Sequence, residues 1–325
     1  MKTTILFKTL ILSVLVFSFG LTSCIDPVEE VKIDHFKKMT DYMKANNLDL
    51  NHMTSQWTID AKDVAAAPTN FYIIDLRSAA DFATGHIQGA INTTLPNIVE
   101  MAKNAGSKPI VVACYTGQTA ALGHVALRLS GHPTCKILKW GMSSWAPQFD
   151  RWTANISDRA LNHANWSTTN AIVPSVNFTL PAFEANDTTG AGILKERVAV
   201  MLAKGYAAMS VKAEDVLTTP TNYFINNYWT NTNVNDHGHI KGAYRVNETL
   251  TLAADGFKNL DPDATIITYC WTGQTSALVS AYLTVLGYTN AKSIGFGANA
   301  LINSTLKANK WSAANVGNYP VVTGN

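Results

Sequence analysis

A six-residue segment occurs twice in this chain of 325 residues: Cys114-Tyr115-Thr116-Gly117-Gln118-Thr119 returns as Cys270-Trp271-Thr272-Gly273-Gln274-Thr275. Each copy follows a short apolar run, Pro109-Ile110-Val111-Val112-Ala113 in one case and Ala264-Thr265-Ile266-Ile267-Thr268-Tyr269 in the other. Such β-branched runs form buried parallel strands. A helical pattern follows, in the first copy from Ala120 to Leu129 and closed by Gly131. A strand that passes through a cysteine-headed glycine loop into a helix sets a thiol at the carboxyl end of the strand, where open α/β sheets bind ligands. Loop N–H groups and a helix N-terminus favour an anion there, so the pattern predicts a lowered cysteine pKa and a stabilised thiolate. A lone cysteine at a strand end is commonly inert packing; the repetition in matched contexts is what argues for a functional loop.

The duplication reaches beyond the loops. Pro68-Thr69-Asn70-Phe71-Tyr72-Ile73 is echoed by Pro220-Thr221-Asn222-Tyr223-Phe224-Ile225, and Asp63-Val64 by Asp215-Val216, at an offset of 152. Gly85-His86-Ile87-Gln88-Gly89-Ala90 matches Gly238-His239-Ile240-Lys241-Gly242-Ala243 at 153, and the cysteines match at 156. A slowly growing offset means small loop insertions in two copies of one domain. The expected division is a leader at 1–23, a first domain at 24–154, a connecting segment at 155–189 and a second domain at 190–325. The connector is rich in Asn, Thr, Ser and Ala but carries Trp166 and Phe178, so it is expected to wrap a domain surface. Residues 192–202 read as an amphipathic helix, and 31–46 as its counterpart, with Phe36, Met39, Tyr42 and Met43 on a core-facing side. Gly295-Phe296-Gly297 lacks the third glycine of a dinucleotide fingerprint.

Phe71-Tyr72-Ile73-Ile74-Asp75-Leu76-Arg77, Asp81-Phe82, the Gly85 to Asn92 segment and the Cys114 loop, in that order and spacing, resemble the rhodanese family. The resemblance covers about 58–145 and, less completely, about 211–299. It implies two α/β domains, each a central parallel sheet flanked by helices, and a cysteine that carries sulfane sulfur as a persulfide, at Cys114 and Cys270. Asp75 and Arg77, at a strand end, suit a charge-assisted brace between loops. Gly85 reads as the C-cap of a helix from Ser78 to Thr84, and His86 and His239 read as turn-fixing residues. At the 152 offset Asn227 and Trp229 stand in place of Asp75 and Arg77, so the second copy keeps the thiol without the charges. Cys270 is then an active thiol, a weaker one, or a sulfur acceptor from Cys114, which ranks first.

Neither loop contains Arg or Lys, and both are shorter than the arginine-ended loop that a cysteine phosphatase needs for bidentate clamping of a phosphoryl group. The same lack sets polysulfide or a persulfide beside thiosulfate as donor. The expected cycle is covalent: the Cys114 thiolate takes the outer sulfur of a donor and hands it to a thiophilic acceptor such as cyanide or a thiol. Backbone N–H groups of Tyr115 to Thr119, helped by the hydroxyls of Thr116 and Thr119, are expected to hold the persulfide charge, with no cofactor and no metal. The alternative is a non-enzymatic module that binds sulfide species or a partner protein.

The four cysteines are Cys24, Cys114, Cys135 and Cys270. Met1-Lys2 and Lys8 precede an apolar run from Leu10 to Leu21, and Leu21-Thr22-Ser23-Cys24 resembles a bacterial lipoprotein signal, with Cys24 the lipidated residue. Lipidation of Cys24 leaves three thiols that cannot all pair, so no disulfide framework is expected; Cys135 reads as a buried small hydrophobe. Loss of Lys2 and Lys8 reduces 25 basic side chains to 23, against 23 acidic ones, which gives no electrostatic case for binding nucleic acid. The expected location is the cell envelope, lipid-anchored at the outer membrane and facing the periplasm or the exterior.

Overall fold

The computed structural model describes residues 33–169, 172, 174 and 176–324; the leader and Cys24 lie outside them. The β-branched runs form the centres of two parallel sheets. In the first half, β1 (Thr58–Ile59), β2 (Tyr72–Asp75), β3 (Ile91–Asn92), β4 (Ile110–Ala113) and β5 (Lys136–Leu138) lie in the order β1-β5-β4-β2-β3. The register sets Asp75 beside Ala113, the residue before Cys114. The connecting segment contributes β6 (Trp166–Ser167), which pairs antiparallel with β9 (His239–Ile240) and so holds the connector on the second half. There β7 (Ser210–Val211), β8 (Phe224–Asn227), β10 (Ile266–Tyr269) and β11 (Ala291–Ile294) lie in the order β7-β11-β10-β8. The counterpart of β3 is reduced to a bridge between Asn226 and Tyr244.

The helices that follow the two cysteine loops, Gln118–Leu129 and Gln274–Val285, are buried on nearly all sides; Thr119 and Thr275 alone escape full burial in each. A helix buried on all sides has to be enclosed; the two pack on each other and on Gly190–Ala208, against which His35–Ala45 packs in turn. One core therefore runs through both halves, with Met39, Leu122, Met201 and Leu278 in it. Phe36 and Met43 also face this core, and Tyr42 packs against it half-buried. Packing these two helices together brings their N-termini, and the cysteine loops, to a common interface. The Gly190–Ala208 helix is broken at Gly205 (φ +69, ψ 168), and Tyr206 follows the break. The segment 316–324 returns to the first half, where Tyr319 N–H donates to Trp145 and His86 and Val322 exchange backbone hydrogen bonds.

His124 lies inside the Gln118–Leu129 helix, fully buried, with Nε2 donating to the Met53 carbonyl at 2.9 Å. Burial first, and then the Arg128 charge, push its pKa down to about 3. An unfolded histidine takes up its proton near 6.5, so the unfolded chain binds more protons than the folded one between 6.5 and about 3. The contribution is complete above pH 6.5 and is lost as pH falls, at about 1.4 kcal/mol per unit. Wild type should thus lose about 2–3 kcal/mol more between pH 7 and roughly pH 4.5 than His124→Gln, which keeps a donor for Met53 and cannot titrate. Urea titrations of both proteins at the two pH values test this, and equal losses would refute it.

Candidate active site

β4 ends at Ala113, and Cys114 opens the loop into the Gln118–Leu129 helix. Gly117, at φ +80, is the last residue before the helix, in a left-handed conformation that glycine adopts without strain. That turn brings the N–H groups of Gly117 and Ala120 onto Cys114 Sγ, at 3.1 and 3.4 Å. The loop is clamped from behind: Met142 N–H donates to the Cys114 carbonyl at 2.7 Å. Gly141, at φ +65, lies so close that a Cβ there would stand 2.6 Å from Thr116 N.

Cys114 is 4 % exposed. Burial pushes its thiol pKa up, while the backbone N–H groups of Ala120, Thr116 and Gly117 pull it down, and burial wins. This corrects the lowered pKa that the loop pattern predicts: the donors are present, but the water that would solvate a thiolate is excluded. Cys135 is wholly buried and its pKa is pushed up to about 12, in keeping with an inert packing role.

Asp75 and Arg77 brace the loop from beside it. Arg77 Nη2 donates to Asp75 Oδ2 and to the Gly85 carbonyl, both at 2.7 Å, and Arg77 Nε lies 3.0 Å from Asp75 Oδ2. The guanidinium sits between the rings of Tyr115 and Phe149, at 5.2 and 4.9 Å. Tyr115 stacks under Arg151 as well, and its hydroxyl donates to Asp81 at 2.7 Å. The Ser78 hydroxyl and then the Tyr115 hydroxyl hold the Asp81 carboxyl below its ordinary range. Gly85 caps the Ala79–Thr84 helix, and His86 stacks on Phe82 while bonding its carbonyl.

The rhodanese-like domain family matches residues 58–148 and again 215–301. The chain belongs to that family. The uncharacterized protein YibN of Escherichia coli (strain K12) is 35% identical over 80 residues, covering 23% of this chain and 54% of that protein. The chain thus spans about half the length of the curated relatives it matches. Among solved structures, the 3-mercaptopyruvate sulfotransferase SseA of Escherichia coli aligns at 19% identity, with 74% of this chain and 98% of that chain covered and a TM-score of 0.27. Thiosulfate sulfurtransferase from Pseudomonas aeruginosa aligns at 14%, with 86% and 49% covered and a TM-score of 0.30.

The second rhodanese-like half rebuilds the loop with different neighbours. Gly273, at φ +75, precedes its helix, and Ala298 N–H donates to the Cys270 carbonyl at 2.9 Å, as Met142 does to Cys114. Phe296-Gly297 is the structural counterpart of Trp140-Gly141, and both aromatic residues have positive φ. Cys270, 1 % exposed, takes the Ser276 N–H at 3.3 Å and lies 3.6 Å from the Ser276 hydroxyl, which is bonded to Ser293 at 2.7 Å. Where the first half has the ion pair, Asn227 donates to the Tyr269 hydroxyl at 2.7 Å and the Ile240 N–H donates to the same oxygen at 3.2 Å. Trp229 packs on Trp271 and Tyr269. His239 is held by the carbonyls of Ile240 and Thr169.

The remaining loop residues separate by role. Thr116 Oγ1 accepts from Gln118 Nε2 at 3.0 Å, and Thr272 Oγ1 accepts from the Gln274 N–H at 3.2 Å. Thr119 and Thr275 are half-buried at the first turn of their helices. Gln118 and Gln274, read from sequence as substrate-loop residues, also bond across to the opposite half. Ser276, Tyr206 and Phe296 were not singled out as site residues by the sequence. Ser276 carried a signal, because it replaces Ala120 at the 156 offset; Tyr206 lies outside both loops and carried none.

Beside the first loop lies a groove of about 720 Å³, lined in part by Thr116, Gln118, Arg159, Lys212 and Lys292. The groove wall also carries Glu214, which pairs with Arg159 at 3.0 Å, and Asp215.

Proposed function

We propose that the chain is a sulfurtransferase that moves sulfane sulfur from a small anionic donor to a thiophilic acceptor through a persulfide on Cys114. One observation carries the reading: a cysteine sulfur at the end of a central parallel strand, bonded by two backbone N–H groups at a helix N-terminus, inside a domain of this family. Cys114 gives up its proton, and the thiolate bonds to the donor's outer sulfur. The donor's sulfur–sulfur bond breaks and the electron pair leaves with the remainder, which is sulfite when the donor is thiosulfate. An acceptor such as cyanide or a thiolate then bonds to the carried sulfur, and the persulfide bond breaks to return the Cys114 thiolate. The Gly117 and Ala120 N–H groups hold the charge on Cys114 through both steps. Lys212 and Lys292 in the adjoining groove suit thiosulfate, polysulfide or an anionic persulfide as donor. By its N-terminal sequence the protein works in the cell envelope, anchored through Cys24 to the outer membrane on its periplasmic or outer face.

The rival reading, a module that binds without turnover, draws on the burial of both sulfurs. Thiocyanate formation from thiosulfate and from polysulfide decides between them. The wild type should turn over many times and carry one extra sulfur mass on Cys114 between steps, whereas the protein with both Cys114→Ser and Cys270→Ser should not. Equal rates for the two proteins with either donor would leave the binding module.

A further inference from the structure

The two cysteine loops hold each other. Gln118 Oε1, from the first half, accepts from Tyr206 Oη at 2.7 Å and from the Phe296 N–H at 2.8 Å, both in the second half. Gln274 Nε2, from the second half, donates to the Thr116 carbonyl of the first loop at 2.9 Å. The orientation of both amides is fixed by their partners, since a backbone N–H only donates and a backbone carbonyl only accepts. Each loop glycine is the seat of the opposite glutamine. A Cβ at Gly117 would overlap Gln274 Nε2, and one at Gly273 would stand 2.6 Å from Gln118 Oε1.

We propose that Gln118, Gln274 and Tyr206 are positioning residues that lock the loops together, so that each half controls access to the thiol of the other. Gln274 acts on Cys114 through Thr116, two residues from the thiol. Gln118 acts on Cys270 through Phe296, which leads into the Gly297-Ala298 clamp on the Cys270 carbonyl. Tyr206 stands at the junction: its hydroxyl donates to Gln118, and with Thr116 and Gln118 it lines the groove beside the first loop. With both thiols closed, reaction at each requires the contact made by the opposite glutamine to open.

This inference rests on the reading of Cys114 and Cys270 as the reacting thiols, but its test does not depend on turnover. The full-length protein is treated with iodoacetamide, and alkylation of each cysteine is followed by peptide mass spectrometry. Gln274→Ala should speed alkylation of Cys114 roughly tenfold, the change that loss of one hydrogen bond makes in an opening equilibrium. Gln118→Leu should do the same for Cys270. Gln118→Glu keeps the acceptor that Tyr206 and Phe296 need and should leave Cys270 near its wild-type rate. Gln274→Glu puts an acceptor against the Thr116 carbonyl and should behave like Gln274→Ala. Tyr206→Phe removes one of the two donors to Gln118 and should speed Cys270 by less than Gln118→Leu does. Cys135, buried in the same core, reports general loosening and should stay unreactive throughout. A glutamine substitution that alters only the cysteine of its own loop, or speeds Cys135 equally, overturns the interlock. Cross-effects in a protein without sulfurtransferase turnover would uphold the interlock and refute the proposed function instead.

Discussion

Replacing Arg77 by methionine is expected to lower the unfolding free energy by about 3–5 kcal/mol, the cost of leaving a buried charge without its partner. Both side chains are sealed from water, at 0% exposure for Arg77 and 1% for Asp75. The Asp75 carboxylate would keep only the Arg77 backbone N–H, at 2.9 Å. The Gly85 carbonyl would lose its donor, and the rings of Tyr115 and Phe149 the cation between them. The second half shows that the fold does not demand the pair, because Asn227 and Tyr269 brace the same place with neutral groups. Most of the loss therefore comes from the stranded carboxylate, and adding Asp75→Asn to Arg77→Met should recover at least about 1 kcal/mol in a double-mutant cycle. Urea titration of the four proteins measures it. A single-substitution loss below about 1 kcal/mol would mean that water reaches Asp75 and that the brace is not sealed.

The parallel strands, both cysteine loops and the duplication were legible because each has a local signature: β-branched runs, glycine at left-handed positions, and an offset that any repeat exposes. Asp75 and Arg77 were legible as a brace because oppositely charged groups at a strand end have few other stable uses. The interlock was not legible, because Gln118 and Gln274 carry no charge and their partners are 88 and 158 residues away. Nothing in the spacing of two cysteines 156 residues apart says that the helices after them pack against each other. That packing is a tertiary property of the assembled core. The direction of the Cys114 pKa was hidden for a related reason: sequence displays the loop's donors, whereas desolvation is set by the assembled core around the thiol.

Cys114→Ser is expected to reduce sulfur transfer to cyanide by about 10³-fold or more, as removal of a covalent nucleophile does, while Cys270→Ser should cost less than about threefold. The asymmetry is argued from the two environments. Cys114 receives two backbone N–H groups and has Thr116 and Gln118 on the wall of the lysine-bearing groove. Cys270 is the more enclosed, and Ser276 supplies one N–H and a hydroxyl that is already engaged with Ser293. The second half braces its loop with Asn227 Oδ1 and Trp229 Nε1 both unpartnered, whereas in the first half Arg77 leaves Nη1 unpartnered but makes four contacts to Asp75. Because burial pushes the Cys114 thiol upward, kcat/KM should keep rising with pH through the ordinary thiol range rather than level off below it. A comparable collapse with Cys270→Ser would place the two thiols in series and overturn the ranking of Cys114 as the sole entry point for sulfur. A pH profile flat from neutrality upward would mean that the reacting form of the site is open to water, with the loop donors free to hold the thiolate as the sequence alone suggests.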